Sequence, residues 1–147
     1  MARHLAEIDS YEEQSTFYWD RCHHTPEIKN KYFRIEDKDN VLGFVILRDL
    51  NFGKLGLWLS LDPKYRRGTY GKLAAYLALT KAFIEYKAKR VVSDVFNTNI
   101  HSMKIHQHIM EFESQDREIL CINIPTLITT FQILKPHFEK LVSKYIK

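Results

Sequence analysis

The stretch that decides the fold runs Leu57-Trp58-Leu59-Ser60-Leu61-Asp62-Pro63-Lys64-Tyr65-Arg66-Arg67-Gly68-Thr69-Tyr70-Gly71-Lys72-Leu73-Ala74. An apolar run, readable as a strand over Leu55–Leu61, enters a basic loop, and the loop opens into a helical pattern. Asp62-Pro63 ends the strand, because proline has no N–H to give to a sheet ladder. The first turn of a helix leaves backbone N–H groups without internal partners, and the helix dipole adds positive potential there. Gly68 and Gly71 are expected to clear side chains from the approach to those groups, with Arg66, Arg67 and Lys72 placing charge at the rim. The loop therefore reads as an anion cradle that suits a pyrophosphate. A tight strand-to-helix turn would use the same two glycines, so the segment by itself leaves both readings open. Its spacing is neither that of a nucleotide P-loop nor that of a dinucleotide fingerprint.

Working outward, Lys31–Ile35 and Val41–Leu47 are rich in aromatic and β-branched residues and are separated by Asp37-Lys38-Asp39-Asn40, which predicts a hairpin. Downstream, Lys72–Lys87 is helical, with a stripe of Leu73, Tyr76, Leu77, Thr80, Phe83 and Ile84 and several alanines. Arg90–Phe96 reads as a strand and Ser102–Ile109 as a second helix. Phe112–Gln115 and Glu118–Ile124 read as two strands about an Asp116-Arg117 turn. In the tail, Leu127, Phe131, Leu134, Phe138, Leu141 and Tyr145 recur at helical spacing, which predicts a helical extension over 126–147 kinked at Pro136. Such a stripe either packs on its own domain or forms a homodimer contact.

The central segment resembles the GNAT superfamily of acyltransferases. That family's acyl-CoA motif is Arg/Gln-x-x-Gly-x-Gly/Ala after a strand ending in an Asp-Pro turn. Arg66 matches its first position and Gly71 its last, while Thr69 replaces the middle glycine. A second resemblance lies in Asp94-Val95-Phe96-Asn97-Thr98-Asn99-Ile100-His101-Ser102-Met103-Lys104-Ile105-His106, an acidic strand followed by Asn and a helix. The family usually continues with Leu-Gly-Phe, where this chain has Ile109-Met110-Glu111-Phe112.

The resemblance implies an α+β fold: a mixed, mostly antiparallel sheet splayed at two parallel strands and flanked by helices, forming a single domain over residues 1–147. It implies transfer of an acetyl group from acetyl-CoA to a primary amine by direct attack, with an amino sugar or a protein N-terminus among the acceptors. Backbone groups of Leu59 and Leu61 would hold the pantetheine arm. Arg66, Arg67, Gly68, Thr69, Tyr70, Gly71 and Lys72 would hold the pyrophosphate, and Asn99 and Ser102 would stand near the pantetheine and the nucleotide. Asp94 would act as base and His106 as acid, since imidazole exchanges protons near neutrality. Each has a plainer alternative, Asp94 as a solvated strand-end carboxylate and His106 as a packed histidine. Tyr65 and Tyr70 are expected to pack or to contact the adenine side, and acceptor-binding residues to come from Glu12–Asn30.

Composition narrows the classes. A chain of 147 residues with a net charge of +4 fits one domain and suits an anionic ligand, but that charge is too small to argue for nucleic acid. Cys22 and Cys121 stand far apart as two idle thiols, and the adjacent His23 and His24 have no third ligand nearby, so no metal is expected. The N-terminus lacks the apolar run of a signal peptide, and no stretch reaches the length of a membrane span, which predicts a cytoplasmic protein. A non-catalytic coenzyme A-binding or interaction module on the same fold is the alternative to an enzyme.

Overall fold

A computed structural model describes residues 3–8, 30–38, 40–66, 70–121 and 124–145. The stretch Glu12–Arg21, whose sequence reads as a helix capped by Ser10, the Cys22-His23-His24 segment and Arg67, Gly68 and Thr69 lie outside these residues. The strands are β1 (Arg3–Ile8), β2 (Asn30–Asp37), β3 (Asn40–Asp49), β4 (Lys54–Leu61), β5 (Arg90–Phe96), β6 (Glu111–Cys121) and β7 (Ile124–Leu134). The helices are α1 (Tyr70–Thr80), prolonged by a π-helical turn over Lys81–Glu85, α2 (Ile100–Ile109) and α3 (Lys135–Tyr145). One sheet runs β1-β2-β3-β4-β5-β7-β6, and every neighbouring pair is antiparallel except β4 with β5.

The hairpin of β2 and β3 forms as its turn chemistry predicts, with Lys38 left-handed at φ 56. It carries a bulge, since Ile35 faces Gly43 while Glu36 faces Val41, and Leu42 is the extra residue. Arg3–Ile8, for which local patterning gave no strand, form edge strand β1 paired with β2 from Arg3 opposite Asp37 to Ile8 opposite Tyr32. A short edge strand takes its conformation from a partner's ladder more than from its own pattern.

In α1 the structure corrects the expected face. Ala74, Ala75, Ala78, Leu79, Ala82 and Phe83 are buried, whereas Leu73, Thr80 and Ile84 are exposed. The small side chains let the helix lie close on the sheet, so the alanines are core residues as well as helix formers.

Two further expectations are overturned beyond α2. Glu111–Cys121 is one strand with register shifts between Phe112 and Ser114 and between Ser114 and Arg117; its hairpin partner is Ile124–Leu134. The helical extension over 126–147 therefore begins only at Lys135, and Leu127, Phe131 and Leu134 belong to β7. Spacings of four and three fit a helix, but the β-branched run Ile128-Thr129-Thr130 favours a strand, and pairing on both sides, with β5 and β6, decides it. Pro136 falls in the first turn of α3, where its missing N–H costs nothing, so no kink arises. Phe138 stacks on Phe83 with ring centroids 4.8 Å apart, and Leu141 and Val142 pack on the same core. The apolar face of α3 thus covers its own domain. Among the described residues no helix is long and apolar enough to cross a membrane.

Candidate functional site

The parallel strands β4 and β5 are paired only at Lys54 with Arg90, Leu55 with Val91 and Gly56 with Val92. Beyond that point they part. The direction of their backbone groups follows from the outer ladders. Asp62 N–H donates to Leu42 O at 2.8 Å, and alternation in an antiparallel ladder then turns the amides and carbonyls of Leu57, Leu59 and Leu61 away from β3 and toward the gap. On the other side Asn97 N–H donates to Leu127 O at 3.0 Å, and the same rule turns the backbone of Asp94 and Phe96 toward the gap. The result is a wedge in which the facing edges of β4 and β5 no longer bond to each other.

The wedge opens on one side into a cleft of about 200 Å³, bordered by Trp58, Leu59, Ser60, Leu61, Arg66, Gly71, Phe96, Asn99, His101, Ser102, Ile105 and His106. The loop leading to it is rigidly begun. Asp62 Oδ1 caps the short turn Pro63–Tyr65 by accepting from Lys64 N–H at 3.1 Å, and Tyr65 packs edge-on against Tyr70 at 5.4 Å. Arg66 donates from Nε to Leu61 O at 3.0 Å, which holds its guanidinium at the cleft beside the start of α1. Lys72 sits half-buried in the first turn of that helix. Asn99 caps α2, its Oδ1 accepting from Ser102 N–H at 3.2 Å, so both residues are fixed at the cleft wall.

Gly71 borders the cleft at the start of α1. A Cβ built on it would stand 2.5 Å from Ile105 Cδ1, the far end of a flexible side chain, where α1 meets α2.

A narrower passage of about 30 Å³ runs through the wedge, bordered by Trp58, Leu59, Ser93, Asp94, Val95, Phe96, Asn99, Ser102 and His106. It brings together the two residues expected to handle protons, from opposite faces of β5. Asp94 accepts a short hydrogen bond from Thr130 Oγ1 and lies 3.4 Å from Arg117 Nη2. Both contacts fall on Oδ1; among the described residues Oδ2 takes none. His106 is buried on the other face, its ring against Phe131 at 5.2 Å. Its Nδ1 lies 2.7 Å from Ser102 O and its Nε2 lies 2.9 Å from Ser93 Oγ. A carbonyl only accepts, so Nδ1 bears the proton, and Nε2 is left to accept from Ser93. Burial pushes the His106 pKa below its ordinary 6.5, and the bond to Ser102 O opposes that shift in part. His101 and His108 are exposed.

Sequence reasoning missed Trp58, Ser93, Arg117 and Thr130. Ser93 had a signal: it is the polar interruption of the alternating buried set Val91, Ser93, Val95. Arg117 and Thr130 had none, because only the pairing of β5, β7 and β6 brings them beside Asp94. No metal-ligating cluster of His, Cys, Asp or Glu is present among the described residues.

The elements define a fold class: one mixed sheet that splits at its one parallel pair, with a helix starting at the mouth of the split. The sequence profile described as the Acetyltransferase (GNAT) family matches residues 1–112, and the chain belongs to that family. No curated protein matches in sequence. Among solved structures, mutant forms of the spermidine/spermine N-acetyltransferase SpeG from Vibrio cholerae align at TM-score 0.70 and 15% identity, over 95% of this chain and 99% of that one. A SpeG chimera from Vibrio cholerae and hSSAT aligns at 0.67 and 18%, over 90% and 80% of the two chains. A GNAT-family acetyltransferase from Bacillus anthracis aligns at 0.63 and 21%, over 74% and 67%. Against two further acetyltransferase structures the match spans 64% and 66% of the other chain. At these identities the likeness is one of fold.

Proposed function

We propose that the protein is an N-acetyltransferase that moves an acetyl group from acetyl-CoA to a primary amine by direct attack on the thioester. The observation that carries this reading is the wedge: β4 and β5 stay bonded only as far as Gly56 and Val92, and beyond them the two edges part at an open cleft. Leu59 and the N–H of Leu61 offer an amide-bearing arm the hydrogen bonds that a neighbouring strand would make, while Leu61 O is held by Arg66. Arg66, Lys72 and the first turn of α1, which begins at Tyr70, suit the phosphates at the far end. Asn99 and Ser102 wall the cleft between those two regions.

Two protons must leave the attacking ammonium. Asp94, which borders the passage together with Trp58 and Phe96, takes the first proton. His106, whose side chain lies on the opposite face of β5, is the source of the proton that the departing sulfur takes up. The acceptor is an amine small or slender enough to reach Asp94. A polyamine, as in the name of the SpeG structures, an amino sugar and a protein N-terminus are the three classes to compare.

Calorimetric titration with acetyl-CoA, followed by thiol release on spermidine, an amino sugar and a short peptide with a free N-terminus, tests the reading. Tight binding with thiol release on at least one amine is expected. Binding without turnover on any amine would leave a coenzyme A-binding module and overturn the enzyme.

A further inference from the structure

Ser93 occupies a position that the proposed chemistry has not yet used. It is the first residue of β5 beyond Val92, the last residue bonded to β4, so it stands at the apex of the wedge. Its side chain is buried, borders the narrow passage and reaches His106 Nε2 at 2.9 Å. Ser102 O, 2.7 Å from Nδ1, fixes the ring as the Nδ1–H tautomer, and Nε2 therefore receives the Ser93 O–H. A histidine held this way has no proton on Nε2 to give at rest. It must first be given one, and the only hydrogen-bonded route to Nε2 among the described residues is the Ser93 hydroxyl.

Resting on the acyl-transfer reading, we propose that Ser93 and His106 form a two-residue relay that carries the second proton of the attacking amine to the departing sulfur. As nitrogen bonds to the carbonyl carbon, it passes a proton to Ser93 Oγ while Ser93 passes its own to Nε2. The carbon–sulfur bond then breaks, and the sulfur takes a proton from Ser93 while Nε2 returns one to Oγ. Amide and free thiol leave, and both residues regain their starting state. Asp94 takes only the first proton, from the other face of the strand.

The surroundings favour an imidazole that stays neutral until the amine reacts. The ring faces Ser93 of β5, Phe131 of β7 and Ser102 of its own helix, and Trp58 and Leu59 of β4 lie across the passage. The charged or titratable groups bordering the same spaces are Arg66, His101 and Asp94, and Asp94 is engaged by Thr130 and Arg117. Burial drives the ring toward its neutral form.

The test combines nitrogen NMR of the imidazole in the ligand-free protein, assigned against His106→Gln, with kinetics of the Ser93→Ala and Ser93→Thr variants. The wild-type ring is expected to carry its proton on Nδ1. Ser93→Ala should lower kcat by about 10²-fold or more at little-changed KM for acetyl-CoA, in line with removal of one proton-transfer group. It should also move the acidic limb of the kcat profile, and Ser93→Thr, which keeps the hydroxyl, should restore both. Thermal melts of each variant show whether a loss reflects unfolding. A ring protonated on Nε2 overturns the relay alone, as does a folded Ser93→Ala enzyme with wild-type kcat. A wild-type protein with the Nδ1–H tautomer that turns over no amine overturns acyl transfer and the relay with it.

Discussion

Gly71 and Ile105 share one space: the position a side chain on Gly71 would occupy already holds Cδ1 of Ile105, 2.5 Å from the ideal Cβ. The first turn of α1 and the middle of α2 meet there, at the wall of the cleft. The clash is with the far end of a flexible side chain, so a methyl group is absorbed by rotation of Ile105, and a larger group is not. Gly71→Ala is expected to weaken acetyl-CoA binding several-fold with a small change in melting temperature, because Ile105 borders the cleft. Gly71→Leu should lose binding and cost about 1–3 kcal/mol of stability by overpacking. Calorimetric titration and urea denaturation measure the two effects separately.

Gly43 presents the opposite case. A Cβ there would meet Ser60 O at 2.0 Å and Leu61 Cα at 2.9 Å, all backbone of β4. Backbone cannot rotate away, so Gly43→Ala must push β4 sideways or break its pairing with β3. A loss of about 1–3 kcal/mol is expected in urea denaturation. Acetyl-CoA affinity should fall as well, since Leu61 forms one edge of the wedge; unchanged affinity would dissociate that edge from binding.

Asp94→Asn keeps the size of the side chain and removes its charge. Turnover of the best amine should fall by about 10²-fold at neutral pH while the affinity for acetyl-CoA stays near wild type. Thr130→Val, which removes one donor to Asp94 Oδ1, should produce a smaller loss of the same kind. Steady-state kinetics with the donor and the acceptor varied in turn distinguish these effects from a loss of donor binding.

Stability should depend on pH through His106. Its folded pKa lies below the ordinary 6.5, so the unfolded chain binds the proton more readily than the folded one. The contribution is complete above about pH 6.5 and is lost as pH falls from there through the lowered folded value. Urea midpoints measured downward from pH 7.5 should decline below pH 6.5, and His106→Gln should flatten that decline. An equal decline in the variant would place the effect elsewhere.

Phe138 anchors α3 by stacking on Phe83 and is 2% exposed. Phe138→Ala should cost about 3–5 kcal/mol, as expected for a large buried ring, and calorimetric unfolding will show it.

The chain's own letters were enough for the central elements. The strand over Leu55–Leu61, the Asp62-Pro63 stop, the helix after the loop and the strand over Arg90–Phe96 all follow from local chemistry, in which turn residues and apolar periodicity agree. So does the hairpin of β2 and β3. Where local signals conflict, the sequence could not arbitrate. Leu127, Phe131 and Leu134 fit a helix by spacing and a strand by their β-branched neighbours, and the partners β5 and β6 settled the matter. The buried face of α1 was hidden because alanine reads as a helix former, while its value as a close-packing residue depends on what it packs against.

The residues around the wedge divide in the same way. Sequence motifs single out Arg66, Gly71, Asp94, Asn99 and His106, because resemblance follows the order of residues along a chain. Distance in space does not follow that order. Ser93 against Nε2 of His106, Thr130 and Arg117 against Asp94, and Ile105 against Gly71 are contacts between separate elements, created when strands pair and helices dock. Sequence alone determined which segments become strands and helices near the cleft; packing decided which side chains those segments bring within reach of a proton.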